Sequence, residues 1–262
     1  VLPRRRSIEG LDPTNYRTMV RGPLYLGLEQ TLEGTRSRDM GQGLPEMEKN
    51  SVPTQLKKNN KYSYAPGTRS TDHGSRTYQV NGFKLPSVTT ILSRTKDQEY
   101  LKKWREKVGP QEAERIFNLS SKRGTSMHKF LEKHILGSGY EDLTDIGVQA
   151  KPMAQKIIEA GLAPVTQYYG SEVTLYYPGL YAGTTDLVCT HNDLDTIVDF
   201  KQANRPKEEE WIEDYFLQIA AYAMAHDYVH QSNIEQGIIM VCTPDLYYQE
   251  FKFSGSVLRS WK

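Results

Sequence analysis

Residues 183–201 read Gly183-Thr-Thr-Asp186-Leu-Val-Cys-Thr-His-Asn-Asp-Leu-Asp-Thr-Ile-Val-Asp199-Phe-Lys201, two apolar runs on either side of Asn192-Asp193. Both central residues tolerate positive φ, so the pair suits a two-residue type I′ hairpin loop. Counting outward from that loop, His191 faces Leu194, Val188 faces Ile197, and Asp186 faces Asp199. Side chains alternate along a strand, which puts Lys201 on the same face as Asp199. Directly opposed residues lie about 4.5–5.5 Å apart at Cβ. The hairpin therefore joins two acids with a lysine diagonally beside them. Apolar residues fall on both of its faces, Val188 and Ile197 on one, Leu187 and Val198 on the other, implying a central position covered from both sides.

Opposed buried carboxylates repel, and three arrangements relieve them. One acid keeps its proton, Lys201 neutralises the pair, or a divalent cation sits between them. The plainest reading is a Lys–Asp network that only holds the sheet, and a register slip of one residue would separate the acids. Chemically, the trio suits hydrolysis of a phosphodiester: carboxylates hold Mg²⁺ or Mn²⁺, and the ammonium orients water or stabilises developing charge.

Outward from the hairpin, strands are expected at 171–177, 236–243 and 247–253, with a long helix at 207–230. Upstream, helical patterns cover Asp97–Val108, Thr125–Leu136 (closed by Gly137) and Gln149–Ala160. Asn81-Gly82 centres a small hairpin in Tyr78-Gln-Val-Asn-Gly-Phe-Lys-Leu. These elements make an α/β domain, a central mixed sheet flanked by helices.

Two helices carry further candidates. With Thr125 or Ser126 as cap, His128 sits one turn into its helix on the face of Leu131 and Ile135. The positive helix end then favours a neutral ring able to ligate a metal, although a lone histidine there also suits a core. His134 is the weaker candidate. In the long helix Pro206 suits the start, and Glu208, Glu209 and Glu210 read as a solvated first turn. Ile212, Tyr215, Phe216, Ile219, Ala220 and Ala223 form its buried stripe. Gln218 and Tyr222, four apart, border that stripe as a packing pair or as one reaching the substrate. Basic residues at 94–107 and 122–133, Lys122 and Arg123 among them, interleave with Tyr100 and Trp104. That pattern fits a path for a single strand or a solvated helix face.

Composition sets the limits. Hydrophobic residues make up 37% of the 262, against about 45–50% in a typical globular chain, so part of the chain lies outside a core. No apolar run approaches the ~20 residues needed to span a bilayer. Two cysteines, Cys189 and Cys242, cannot supply a four-cysteine centre. The net charge of +1 averages two unlike parts. Residues 1–70 hold 12 Lys/Arg against 7 Asp/Glu, and 35–61 has no period of two or 3.6, so 1–70 reads as a basic, disordered leader. The domain is then expected over 71–262, with a final helix cut short at Lys262.

In order, His128, Asp186, Asp199-Phe-Lys201 and Gln218-Ile-Ala-Ala-Tyr222 resemble the RecB-type branch of the PD-(D/E)XK nucleases. More closely, SVTTILS, GTSMHKFLE, YAGTTDLV, DFK and WIEDYFLQIAAYAMAH resemble the mitochondrial genome maintenance exonuclease family, over roughly 80–250. The resemblance implies a restriction-endonuclease-like core and a mitochondrial, Mg²⁺- or Mn²⁺-dependent exonuclease on single-stranded DNA ends and flaps in DNA replication. It implies a monomer with no membrane partner. By motif matching, His128, Asp186 and Asp199 would hold metal and Lys201 would assist the nucleophile. Gln218 and Tyr222 would support the site or the substrate, and Lys122 and Arg123, from the basic run at 122–133, are the further substrate-binding candidates. The sequence departs from the pattern at Asp199, often Glu in the family, and at Thr185, where the family name has Pro. The alternative is a catalytically silent module that binds single-stranded nucleic acid on the same fold.

Overall fold

The computed structural model describes residues 56–96 and 99–262. The leader assigned to 1–70 lies outside the described residues up to 55. From Leu56 on, that assignment is corrected: strand β1 (Lys57–Lys58) pairs in parallel with β5 (Val165–Tyr177). Behind it Tyr62 packs edge-on against Tyr169 and His226, and the Tyr64 hydroxyl meets His226 Nε2 at 3.1 Å. This order comes from distant partners, so the local sequence carries little sign of it.

Three short strands follow, β2 (Gly67–Asp72), β3 (Ser75–Val80) and β4 (Phe83–Pro86), forming a small antiparallel sheet. Its second turn is the Asn81-Gly82 loop, with φ +48° and +82° as the sequence requires. Helix α1 (Val88–Thr95) is capped by Ser87, whose side chain accepts from the Thr90 amide. Helices α2 (Glu99–Val108), α3 (Pro110–Ile135) and α4 (Asp145–Ala160) lead to β5. Then come β6 (Tyr181–His191), β7 (Leu194–Gln202), α5 (Glu213–His230), β8 (Gln236–Cys242), β9 (Tyr248–Ser254) and α6 (Gly255–Trp261).

The main sheet has six strands in the order β1-β5-β6-β7-β8-β9, parallel at β1–β5 and β7–β8 and antiparallel elsewhere. Its strands are apolar on both faces. Leu187, Cys189, Val198 and Phe200 meet Met127, Leu131, Ile135, Met153 and Ile157 of α3 and α4. Val188, Ile197, Ile239 and Val241 meet Phe216, Ile219 and Ala223 of α5. The expected central mixed sheet flanked by helices is therefore present. Among the described residues, no helix is long and apolar enough to cross a membrane.

Helix α3 differs from expectation. It runs 26 residues from Pro110, with Pro at its first turn, and so begins well before Thr125. Thr125 and Ser126 have cap chemistry but do other work inside the helix. Thr125 Oγ1 donates to the Ser121 carbonyl four residues back at 3.0 Å, and Ser126 Oγ reaches Asp142 at 2.7 Å. At the far end Gly137 takes φ +67° and closes the helix as the sequence requires. Helix α5 also starts later than Pro206; Glu209–Trp211 is a separate short turn, and Glu213 opens the helix.

Candidate active site

The β6–β7 hairpin follows the count from its loop. Asn192 and Asp193 have φ +48° and +63°, and Leu187↔Val198, Val188↔Ile197 and His191↔Leu194 are partners. The pairing stops one step short of the acids. Where Asp186 and Asp199 would continue it, the Asp186 carboxylate enters the ladder and accepts the Phe200 amide at 2.6 Å. Asp186 stays buried there and meets the helical layer of α3. His128 Nδ1 of α3 reaches Asp186 Oδ1 at 3.2 Å, with its ring edge-on to Phe200.

A third carboxylate, missed in the sequence, completes the row. Strands β5 and β6 pair Ser171 with Leu187 and Val173 with Thr185, which sets Glu172 opposite Asp186. Glu172, Asp186 and Asp199 thus cross three neighbouring strands in line. Glu172 is left-handed at φ +53°, a conformation costing a non-glycine residue roughly 1–2 kcal/mol, and its carboxylate lies 3.9 Å from His128. The loop around Pro178-Gly179 fixes this register, with Tyr177↔Tyr181 as the pair that closes it. Counting from that loop finds Glu172, as counting from Asn192-Asp193 finds Asp199.

On the α5 side, Lys201 Nζ lies 2.5 Å from Asp199 Oδ2 and 4.9 Å above the Tyr215 ring. Gln218 ties the pair together: its amide donates to Asp199 Oδ1 at 2.9 Å and accepts from Lys201 at 3.2 Å. The same amide donates to the Tyr222 hydroxyl at 3.3 Å. Tyr222 packs so closely on Gly183 that a Cβ there would lie 2.6 Å from its ring. Gln218 and Tyr222 are both buried, and they support the acid–lysine pair as well as lining the cleft.

The charges follow from these contacts. Burial works against a charged His128, but the Asp186 charge and hydrogen bond, with Glu172 and Asp199, outweigh it and raise its pKa to about 10. This corrects the neutral ring expected from a helix terminus: His128 lies deep in α3, and the acids decide its charge. Burial also pushes Asp186 up, yet His128, Lys201 and the Phe200 amide leave it below the ordinary carboxylate value. Asp199 goes the other way, raised to about 6 by burial and by the Asp186 charge despite Lys201. Without a metal, then, the acid row is met by two cations, His128 and Lys201.

His128, Glu172 and Asp186 offer ligand atoms all within 4.8 Å of one another. One imidazole and hard carboxylate oxygens suit Mg²⁺ or Mn²⁺, and His128 would have to release its proton to serve as a ligand. Asp199 is not in that group; its oxygens meet Gln218 and Lys201. The group opens into a cleft of about 220 Å³ that Lys201, Gln218 and Tyr222 also line.

The expected basic path is only partly available. Arg123 is buried, and its guanidinium holds Gln149 at 3.2 Å and Asn204 at 2.5 Å. It therefore joins α3, α4 and the segment that follows β7, which corrects its reading as a substrate contact. Lys122 is exposed and does not line the cleft. Lys96 pairs with Asp214 at 2.9 Å and Lys129 with Glu132 at 2.7 Å. The side chain of Tyr100 lies outside the described residues.

No family model and no curated protein matches the sequence. Among solved structures, a chain from Eubacterium rectale described as a “putative exonuclease” aligns with 55% of this chain and 62% of its own length, at 13% identity and a TM-score of 0.40. A second, described as SSO0001, aligns with 52% of this chain and 81% of its own, at 15% identity and a TM-score of 0.26. The chemistry of the cleft stands on its own residues.

Proposed function

We propose that the chain is a metal-dependent nuclease of the PD-(D/E)XK kind, RecB-type branch, that hydrolyses single-stranded DNA from free ends and flaps. The observation that carries this reading is the row Glu172, Asp186, Asp199 across three strands, with His128 at one side and Lys201 at the other. His128, Glu172 and Asp186 would hold Mg²⁺ or Mn²⁺, with Asp199 close by. A cation there would polarise a phosphate oxygen and favour hydroxide at neutral pH. Lys201, aimed by Gln218 and fixed by Asp199, would orient the attacking water or stabilise charge developing on phosphate. Single-strand specificity, the preference for ends, monomeric action and a mitochondrial role in DNA replication follow the motif resemblance and are part of the proposal.

The test compares end-labelled linear and circular single strands, with Mg²⁺ or Mn²⁺ and with chelator. Linear DNA should be degraded only with metal, and circles should survive. Binding to both without any product would instead establish the silent binding module. A ligand role for Glu172 makes its own prediction: Glu172→Gln should weaken Mn²⁺ binding at least about tenfold, some 1.4 kcal/mol, in a calorimetric titration. Equal affinity would remove Glu172 from the ligand set.

A further inference from the structure

The small sheet β2–β4 has no part in the chemistry above, yet it walls the same cleft: Arg69, Arg76 and Tyr78 line it with His128, Asp186 and Lys201. The register sets Arg69 opposite Tyr78 and Arg76 opposite Thr71. Arg76 precedes Tyr78 by two residues, so all three side chains leave one face of the sheet. Diagonal neighbours on such a face lie about 7–8 Å apart, close enough for two guanidiniums to meet one anion.

That face is fixed against the site. Tyr78 is buried, with its hydroxyl 3.1 Å from Thr184 Oγ1, and Asn81 donates to the Tyr176 hydroxyl at 2.7 Å. At the start of β2, Gly67 lies so near Thr174 that a Cβ would come within 2.5 Å of its Oγ1. Arg76 is itself half-buried. Among the described residues neither arginine has a carboxylate partner, although an acid row lies across the cleft. Charges that merely discourage pairing at a sheet edge have no need of a cleft; these two line one, Arg76 half-buried and Arg69 exposed.

We propose that Arg69 and Arg76 form a phosphate clamp that holds the phosphodiester next to the scissile one. The site would then take a polyanionic strand with consecutive phosphates, not an isolated phosphate ester. The inference rests on the nuclease reading, because the clamp gains its meaning from hydrolysis beside it.

The experiment measures binding of a labelled oligothymidylate to the full chain in chelator over a range of NaCl, and separately the steady-state cleavage of the same strand with Mn²⁺. The double variant Arg69→Gln/Arg76→Gln should lower the log–log salt slope by about 0.7, the value for the one single-strand phosphate that the pair no longer neutralises. It should also raise KM about tenfold with a smaller change in kcat. Lys84→Gln removes a charge from the other face of the same sheet, where Lys84 pairs with Gln79, and should leave the slope as it is. Single Arg69→Gln, at an exposed position, supplies the measurement if the double variant fails to fold. A variant slope and KM equal to wild type would overturn the clamp. A wild type that cleaves nothing, with a slope that still falls in the variant, would overturn the nuclease reading and leave the clamp standing.

Discussion

Asp186→Asn should lower the metal-dependent cleavage rate by about a thousandfold or more while leaving the fold in place. Asp186 is where every part of the site meets. It accepts the Phe200 amide, pairs with His128 and lies within ligand distance of Glu172. Asparagine keeps the shape and the carbonyl oxygen that takes the amide, so the change removes charge and little else. Each 1.36 kcal/mol of lost transition-state stabilisation is about tenfold in rate, and a cation's stabilisation of phosphate charge is worth several kcal/mol. The measurement is the single-turnover rate on a linear strand at saturating Mn²⁺, with thermal melting to check the fold. Retention of more than a tenth of the wild-type rate would sink the metal mechanism.

Lys201→Ala should lower kcat by about 10²–10³, the range for losing one preorganised charge-stabilising donor, with Mn²⁺ still bound. It should also leave a signature in pH. The ammonium is the main influence holding Asp199 down against its burial, so without it Asp199 will take its proton from higher pH than about 6. A protonated Asp199 has lost the charge the site uses. The acidic limb of the pH–rate profile must therefore move to higher pH, and the loss of activity must be deeper at pH 6.5 than at pH 8.5. A profile that falls uniformly, or a rate that does not fall, would show that Lys201 only holds the sheet.

Most of the site is legible in the hairpin because a two-residue loop leaves its strands one register. Asn192 and Asp193 adopt the left-handed conformations their side chains tolerate, and the pairs follow. Glu172 is less visible because its partner lies across a different loop. The sequence shows a strand from 171 onward, but only the pairing across Pro178-Gly179 brings Glu172 to Asp186. The start of the His128 helix is hidden for a different reason. Its first half, with Glu112, Glu114, Arg115 and Asn118, buries little beyond Ala113. Such a helix shows almost no periodicity, and Gly124-Thr125-Ser126 then imitates a start. Segment 56–66 gives no local sign of order because Tyr62 and Tyr64 are held by His226 and Tyr169, more than a hundred residues on. Arg123 resembles a free cation because no local pattern shows that Gln149 and Asn204 will enclose it.

The backbone at Glu172 carries one more consequence. A glycine would adopt φ +53° freely, so a chain refined for durability alone would settle on glycine or asparagine at 172. A long carboxylate side chain kept in that conformation marks a position where thermal robustness and turnover pull in opposite directions. Improvement of this protein as a reagent meets its limit there: the substitution that relaxes the strand is the one that empties the end of the acid row.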